Sequence, residues 1–305
     1  MKTIVTHNGP FHADDVLGSA IVSYYYDIYG VDYTFIRTHD QEQIASGNVV
    51  IDVGGVYDAD NNRFDHHQVS FDLKRENNVP YSSAGLVWKT YGQRILQGRF
   101  DTYNSKFFTK ILNEVDLNLI QGVDALDSGY GTLYLADSVP HATFSNAISS
   151  FNPTWQEGNS FDEEFKNAVD IAKVFLKREI KRAEGKAAAH DTALMAINLA
   201  YQQGHEKIIV FNSFLPAMEV LVDYSNAFFL IFPQEKDWLV QCIPVAGEAF
   251  SKRKELPEAW AGLREGDLTK VTGVKDAVFC HKGRFICGAR SKEGAMALAQ
   301  LALSA

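Results

Sequence analysis

Histidine and aspartate residues recur in the first half of the chain, in short runs whose side chains could bind divalent metal ions. The runs are THNGPFHADD (His7, His12, Asp14, Asp15), the end of NVVID (Asp52), RFDHHQ (Asp65, His66, His67) and GVDALDSG (Asp124, Asp127). Carboxylate and imidazole ligands without thiolates suit Mn²⁺ or another divalent metal of intermediate hardness, and zinc less exclusively. These groups are too many for one ion, and two ions about 3.5–4 Å apart that share carboxylates would use them all.

Each of these runs also has a simpler structural interpretation. A single aspartate at a strand end is usually a cap or turn residue, and Asp14 and Asp15 suit the start of a helix. The neighbouring His66 and His67 could form an ordinary surface pair. The combination favours a metal site, because carboxylates that converge on one edge of a sheet need a cation to neutralise them.

Alternating strand and helix patterns would place these runs at one edge of a sheet. Strands are predicted at Thr3–Thr6, Asp32–Arg37 and Asn48–Val53, and helices at Asp14–Tyr29 and from Ser82 or Ser83 to Leu96. The continuously apolar VVI is typical of a central parallel strand. The fold class is therefore α/β, with a mostly parallel amino-terminal sheet flanked by helices, and its sites belong at the carboxyl ends of the strands.

The second half of the chain has a different pattern. The loop FNPTWQEGNS (151–160) is a predicted boundary between a metal-binding catalytic domain (1–150) and a helical linker with an α+β substrate-binding domain (151–305). A helix is expected from Ser160 to Gln203, with a possible interruption at Gly185. Strand-like runs then follow at 207–211, 219–223, 228–232, 238–244, 277–281 and 284–288, before a final helix from Ser291 to Leu303.

Composition limits the classes of function. The chain has 305 residues and a net charge of −9, which argues against a broad basic coat for nucleic acid but not against a short strand held at a metal site. Three cysteines do not make a disulfide framework. Neither a secretory signal nor an apolar run of membrane length is evident, so we expect a cytoplasmic protein with no membrane partner.

Eight sequence blocks together resemble one family. The blocks, in chain order, are THNGPFHADD, VVIDVGGVYD, RFDHHQ, YSSAGL, VDALDSG, FNPTW, LPEAWAGLR and SKEGA. The Asp65-His66-His67 triplet resembles the DHH phosphoesterase superfamily, and the ordered set resembles its melanocyte-proliferating-gene family over nearly the whole chain.

This resemblance implies a two-manganese phosphodiesterase that acts as a 3′–5′ exonuclease on RNA or short oligonucleotides. The metal ligands carried over from the family motifs are His7, His12, Asp14, Asp52, His67 and Asp124. Asp127 remains an alternative to Asp124, because Asp127-Ser128-Gly129 resembles an Asp-Thr-Gly motif of other DHH proteins. His12 stands where common DHH enzymes have aspartate, which lowers the charge of the ligand set and could change metal preference.

The predicted catalytic residues are Asp65, His66 and His67 of the run RFDHHQ. His66, if it is not a ligand, could donate a proton to the leaving group or bind phosphate. Asp65 could orient a histidine or bind metal directly, and His67 is a candidate ligand. The predicted substrate-binding residues are Ser83, Gly288 and Arg290; the last two match a family segment that binds the nucleotide end in the second domain. A bulge in a hairpin is an equally good interpretation of that segment.

Two other functions remain open at this point. The same metal pair could hydrolyse a small phosphoanhydride or a dinucleotide, or the protein could be a non-catalytic metal- or nucleotide-binding regulator. Retention of the whole ligand set argues against the second. A homodimer is possible, but the sequence does not determine the oligomeric state.

Overall fold

A computed structural model describes residues 1–100, 104–130, 142–158 and 160–305. They form two compact units, Met1–Glu184 and Gly185–Ala305. The division falls inside one continuous helix, Phe161–Gln202, whereas the sequence predicts a domain boundary in the loop 151–160. That boundary stays a prediction.

The first unit contains a five-stranded, mostly parallel sheet. Its strands are β1 (Lys2–Thr6), β2 (Tyr33–Arg37), β3 (Val49–Ile51), β4 (Tyr57–Asp58) and β5 (Arg63–Phe64). They lie in the order β2-β1-β3-β5-β4, and every neighbouring pair is parallel except β5 with β4. The predicted α/β fold class is confirmed, and the carboxyl ends of β1, β2, β3 and β5 meet at one edge.

Helices flank this sheet and approach it closely. They are α1 (Ala13–Ile28), α2 (Gln41–Ser46), α3 (Ser83–Arg99), α4 (Ser105–Val115), α5 (Gln121–Asp127), α6 (Phe144–Ser149) and α7 (Phe161–Gln202), with a π-helical segment Asp116–Ile120 between α4 and α5. A Cβ at Gly18 of α1 would lie 2.9 Å from Ile51 Cγ2, and one at Gly85 of α3 would lie 2.0 Å from Asp124 Oδ2. Glycine at these two positions therefore lets α1 approach β3 and α3 approach α5.

The second unit has the expected α+β pattern. Its strands are β6 (Ile208–Val210), β7 (Phe229–Gln234), β8 (Asp237–Cys242), β9 (Pro244–Val245), β10 (Glu248–Lys252), β11 (Ala277–Cys280) and β12 (Ile286–Ala289), and its helices are α8 (Met218–Tyr224), α9 (Glu265–Thr272) and α10 (Lys292–Ser304). The main sheet has the order β11-β12-β8-β7-β6 and is parallel only between β6 and β7, while β9 and β10 pair separately. Apolar clusters cover both faces of this sheet, one including α10 and the other including α8 and the carboxyl-terminal part of α7.

Several sequence predictions about single elements were wrong. Residues 219–223 form a helix and not a strand, because the consecutive Val220 and Leu221 both pack into the core. Gly185 does not interrupt α7. Trp155, in the loop 151–160, is 90% exposed, and Cys242, Cys280 and Cys287 are buried and unpaired. None of the helices in the described part of the chain combines the length and the apolar character that a membrane crossing requires.

Candidate metal centre

Four parallel strands bring polar side chains to the same edge of the first unit's sheet. His7 follows β1, His39 follows β2, Asp52 follows β3, and the Asp65-His66-His67 triplet follows β5. The start of α1 adds His12 and Asp14 from the loop after β1. Residues up to 60 positions apart thus meet because parallel strands end together.

Asp52 lies at the centre of this group. Its carboxylate is 3.5 Å from His7 Nε2, 3.4 Å from His66 Nε2 and 3.6 Å from His67 Nδ1. The Ser83 hydroxyl donates a hydrogen bond to Asp52 Oδ1 at 2.9 Å. Burial by itself would raise the pKa of Asp52, but the contact with His66 and the other two imidazoles lower it to about 2.

The backbone at Asp52 is unusual as well. Its φ is +59°, in the left-handed region that a β-carbon disfavours. This conformation follows directly after the last residue of β3, so the turn aims the carboxylate into the cluster at some cost in backbone energy.

Asp14 is a fully buried carboxylate close to other acids. The side chain is 0% exposed, and among the described residues no donor bonds to either of its oxygens. Burial, followed by the charges of Asp52 and Asp127, raises its pKa well above the ordinary value. A buried carboxylate without a partner is costly, and a divalent cation would remove that cost. The residues at this edge therefore fit a metal.

Asp15 is held differently although it is equally buried. Its Oδ1 accepts hydrogen bonds from the amides of His12 (2.8 Å) and Val16 (2.9 Å), so this oxygen caps α1. Its Oδ2 lies 3.4 Å from His7 Nε2. The structural interpretation of the acidic pair thus applies to Asp15, whereas Asp14 lacks such a role.

His66 is surrounded by acids. Its Nε2 lies 3.2 Å from Asp127, 3.4 Å from Asp52 and 3.8 Å from Asp14. Burial would lower the pKa of His66, but its contacts with Asp127 and Asp52 raise it to about 10. These acids therefore favour the protonated form of the His66 ring.

Among the residues that the structure describes, three groups of side chains have ligand atoms within 4.8 Å of one another. They are His7, His12 and Asp52; Asp52, His66 and His67; and His12, Asp14 and Asp127. Asp52 and His12 each belong to two groups, which suits neighbouring ions that share ligands. Nitrogen and oxygen donors without sulfur suit Mn²⁺ and related divalent metals.

Asp124 is not part of these groups. It is fully buried, accepts hydrogen bonds from the Ser82 hydroxyl (2.6 Å) and the Gly85 amide (3.0 Å), and lies 2.7 Å from the Arg75 guanidinium. Burial nevertheless raises its pKa to about 6, against the opposing effects of Arg75 and Ser82. Of the two aspartates that the sequence left open, the geometry favours Asp127, at the end of α5, and gives Asp124, the first choice, an ion pair instead.

Asp65 and Ser83, two further predicted site residues, each form a hydrogen bond with a candidate metal ligand. Asp65 accepts hydrogen bonds from the Gly55 amide at 2.6 Å and from His67 Nδ1 at 2.8 Å, so it orients the His67 ring. Ser83, predicted to bind substrate, is fully buried and donates to Asp52. Its observed contact is therefore that of a residue that positions a carboxylate.

The other two predicted substrate residues lie in the second unit. Gly288 is buried in β12, and a Cβ there would lie 2.9 Å from Leu239 Cδ2 and 3.1 Å from Phe279 Cε1. Close packing between strands explains this glycine without a ligand. Arg290 has a 59% exposed side chain that lies 3.5 Å from Asp237 and 3.7 Å from Glu265.

One histidine at the edge was missed by the sequence analysis. His39 lies two residues beyond β2, so the strand-end argument that selected Asp52 could have found it. It lines a cavity of about 360 Å³, whose other lining residues are His7, His12, Asp52, Val53, Gly54, Gly55, Asp65 and His67.

Comparison with known proteins places these residues in a family context. The model of MYG1_exonuc, an uncharacterised protein family (UPF0160), matches residues 3–303. The MYG1 exonuclease of Homo sapiens is 31% identical over an alignment of 325 positions, which covers 99% of this chain and 85% of that protein. A MYG1 protein of Caenorhabditis elegans is 31% identical over 98% of this chain and 94% of its own length.

Similarity to solved structures is weaker. RecJ of Thermus thermophilus, in complex with Mn²⁺, aligns over 100% of this chain and 52% of its own, with 13% identity and a TM-score of 0.29. A second structure, of exonuclease RecJ bound to manganese, aligns over 99% of this chain and 90% of its own, with 14% identity and a TM-score of 0.26.

Proposed function

The chain belongs to the MYG1_exonuc family, and from this premise we propose that it is a metal-dependent phosphodiesterase, a 3′–5′ exonuclease acting on RNA or short oligonucleotides with two divalent cations, Mn²⁺ by preference. Membership confirms the resemblance to the melanocyte-proliferating-gene family. The observation that carries the proposal is Asp14, a buried carboxylate to which no donor bonds within the described part of the chain, close to Asp52 and its three imidazole neighbours. The exonuclease name of the human relative supports the reaction class.

We assign the cations to the groups whose donor atoms converge. His7, His12, Asp14, Asp52 and His67 keep their predicted roles as ligands. Asp127 takes the place predicted first for Asp124, because it is within 4.8 Å of His12 and Asp14 ligand atoms. When bound, the cations neutralise charge on the phosphoryl oxygens and lower the pKa of water.

The other residues of the cluster hold or move protons. His66 carries its proton at Nε2 between Asp52 and Asp127 and can donate it to the leaving oxygen of the nucleotide. Asp65 holds His67 by its Nδ1 hydrogen, and Ser83 fixes Asp52. In the second unit, the exposed guanidinium of Arg290 is available for a substrate phosphate.

The decisive experiment is degradation of end-labelled RNA by the full chain with Mn²⁺. We expect shortening from the 3′ end, and none when that end is blocked. Asp52→Ala is the control for contaminating nucleases, because it removes a residue shared by two ligand groups and should abolish both cleavage and Mn²⁺ binding.

Other results would lead to a different function. Phosphate release from pyrophosphate or a dinucleotide, with RNA left intact, would replace the exonuclease by a small-molecule hydrolase, which the net charge of −9 also suits. Bound Mn²⁺ without hydrolysis of any phosphate ester would instead indicate a regulatory binding protein.

A further inference from the structure

Asn8 holds two imidazoles of the cavity at the same time. Its backbone carbonyl is 3.2 Å from His7 Nδ1, and its side-chain oxygen is in close contact with His39 Nδ1. The two rings lie with centroids 6.1 Å apart. One residue shortly after β1 thus orients histidines that come from the ends of two adjacent strands.

These contacts determine where the ring protons are. Both oxygens of Asn8 can only accept a hydrogen bond, so each Nδ1 must carry the hydrogen. In the neutral ring, Nε2 is then an acceptor with a free lone pair. For His7 that nitrogen lies among the carboxylates, which is the arrangement of a metal ligand.

His39 has the same tautomer but a different location. It belongs to none of the three groups whose ligand atoms converge, although it lines the cavity that contains them. Within the described residues, no hydrogen bond is made to its Nε2. His39 Nε2 is thus a hydrogen-bond acceptor of a residue that lines the cavity but is not in the candidate metal-binding groups, so it could contact a bound substrate.

We propose that His39 Nε2 accepts a hydrogen bond from the 2′-hydroxyl of a substrate ribose and that Asn8 is the residue that positions it. The inference deepens the proposed function and rests on it. Phosphate oxygens are acceptors only and cannot bond to this lone pair, whereas a sugar hydroxyl can donate to it. Deoxyribose lacks that hydroxyl, so this contact favours RNA over DNA.

The test compares pentamers of riboadenylate and deoxyriboadenylate of equal length. We expect His39→Ala to lower the ratio of kcat/KM for RNA to that for DNA by about 3- to 10-fold, the value of one hydrogen bond, mainly through the KM for RNA. His39→Gln, which keeps an acceptor near Nε2, should recover part of the ratio. His205→Ala is the matched control, because His205 is an exposed histidine of the second unit.

Asn8 provides a second and independent variant. Asn8→Ala removes the side-chain oxygen that holds His39 but keeps the backbone carbonyl that His7 uses. It should lower the same RNA-to-DNA ratio. The double variant Asn8→Ala/His39→Ala should have the same ratio as His39→Ala alone, because both substitutions remove the same contact with the substrate.

The outcomes distinguish a failure of the His39 proposal from a failure of the proposed function. An unchanged RNA-to-DNA ratio in His39→Ala overturns the proposal, and so does weaker Mn²⁺ binding, which would make His39 a ligand. If the wild type cleaves neither pentamer, the proposed function fails. The affinities of the two pentamers, measured by fluorescence anisotropy with Ca²⁺ in place of Mn²⁺, still test His39, and loss of the RNA preference in His39→Ala supports its role.

Discussion

Asp14 and Asp124 are both fully buried aspartates of the first unit, yet their surroundings differ in every respect that matters for function. Asp124 has an arginine at 2.7 Å, a hydroxyl donor and an amide donor. Asp14 has no donor on either oxygen among the described residues, and the charges of Asp52, Asp127 and Asp15 raise its pKa. The sequence alone presents both as an acid near a strand or helix end.

The difference distinguishes an acid that is held by hydrogen bonds from one that accepts none among the described residues. Arg75 bonds to Asp116 through Nε at 2.8 Å and also lies 2.7 Å from Asp124, so it ties the π-helical segment to α5. Asp14, in contrast, is a net cost in the absence of a cation. Such a cost is typical of functional sites, where stability is sacrificed for binding.

Asp14→Asn is the substitution with the largest expected effect. The amide keeps the shape and removes the charge, so turnover should fall by at least about 100-fold, or ~2.7 kcal/mol in activation free energy. The metal-free protein should at the same time become more stable by about 1–3 kcal/mol, because a buried charge that is repelled by neighbouring aspartates has been removed. Activity assays and urea unfolding in the presence of a chelator measure the two effects.

The pH dependence of stability sharpens this prediction. Because the pKa of Asp14 in the folded protein lies well above the ordinary 3.8, the metal-free wild type gains from protonation at low pH. This stability should be lost as the pH rises from about 3.8, the ordinary pKa, through the higher pKa that Asp14 has in the folded protein. Asp14→Asn should flatten the profile, and an unchanged profile with unchanged Mn²⁺-dependent stabilisation would mean that Asp14 does not bind the cation.

Asp124→Ala and Asp127→Asn give the next largest effects, in opposite properties. Asp124→Ala removes the acceptor shared by the Ser82 hydroxyl, the Gly85 amide and the Arg75 guanidinium, so stability should fall by about 1–3 kcal/mol while Mn²⁺ still binds. Asp127→Asn should weaken Mn²⁺ binding by about 10-fold or more, a cost of ~1.4 kcal/mol, with little loss of stability. Calorimetric titration and thermal unfolding of both variants are required, and a reversed pattern would restore Asp124 as the ligand.

Chain order and hydrophobic pattern were sufficient to predict the edge of the sheet. The apolar VVI run, the alternation with helices and the positions of Asp52 and Asp65–His67 all point to parallel strands with a site at their carboxyl ends. His39 could have been found by the same argument. The second unit was harder, because a short apolar run such as 219–223 has no period long enough to separate strand from helix.

The choice between Asp124 and Asp127 could not be made from the sequence for a physical reason. Both lie on the seven-residue α5, and their roles depend on Arg75, which lies 49 residues before Asp124 in a segment between β5 and α3. No sequence pattern predicts the long-range ion pair between Arg75 and Asp124. The buried role of Ser83 was hidden likewise, since serine at a helix start is equally suited to capping and to substrate contact.

Ser83→Ala has the smallest expected effect, because it removes only a neutral hydrogen-bond donor to the Asp52 carboxylate. Asp52 keeps its three imidazole neighbours but loses the 2.9 Å hydrogen bond from the hydroxyl. Since residues that orient ligands contribute about 10-fold in metal affinity or activity, we expect a loss near that value, with the fold intact because alanine suits the first turn of α3. Ser82→Ala is the matched control: it removes the bond to Asp124, so it should reduce stability and leave Mn²⁺ affinity unchanged. Equal effects of the two variants on Mn²⁺ affinity would show that both aspartates belong to one site, and the distinction between them would have to be abandoned.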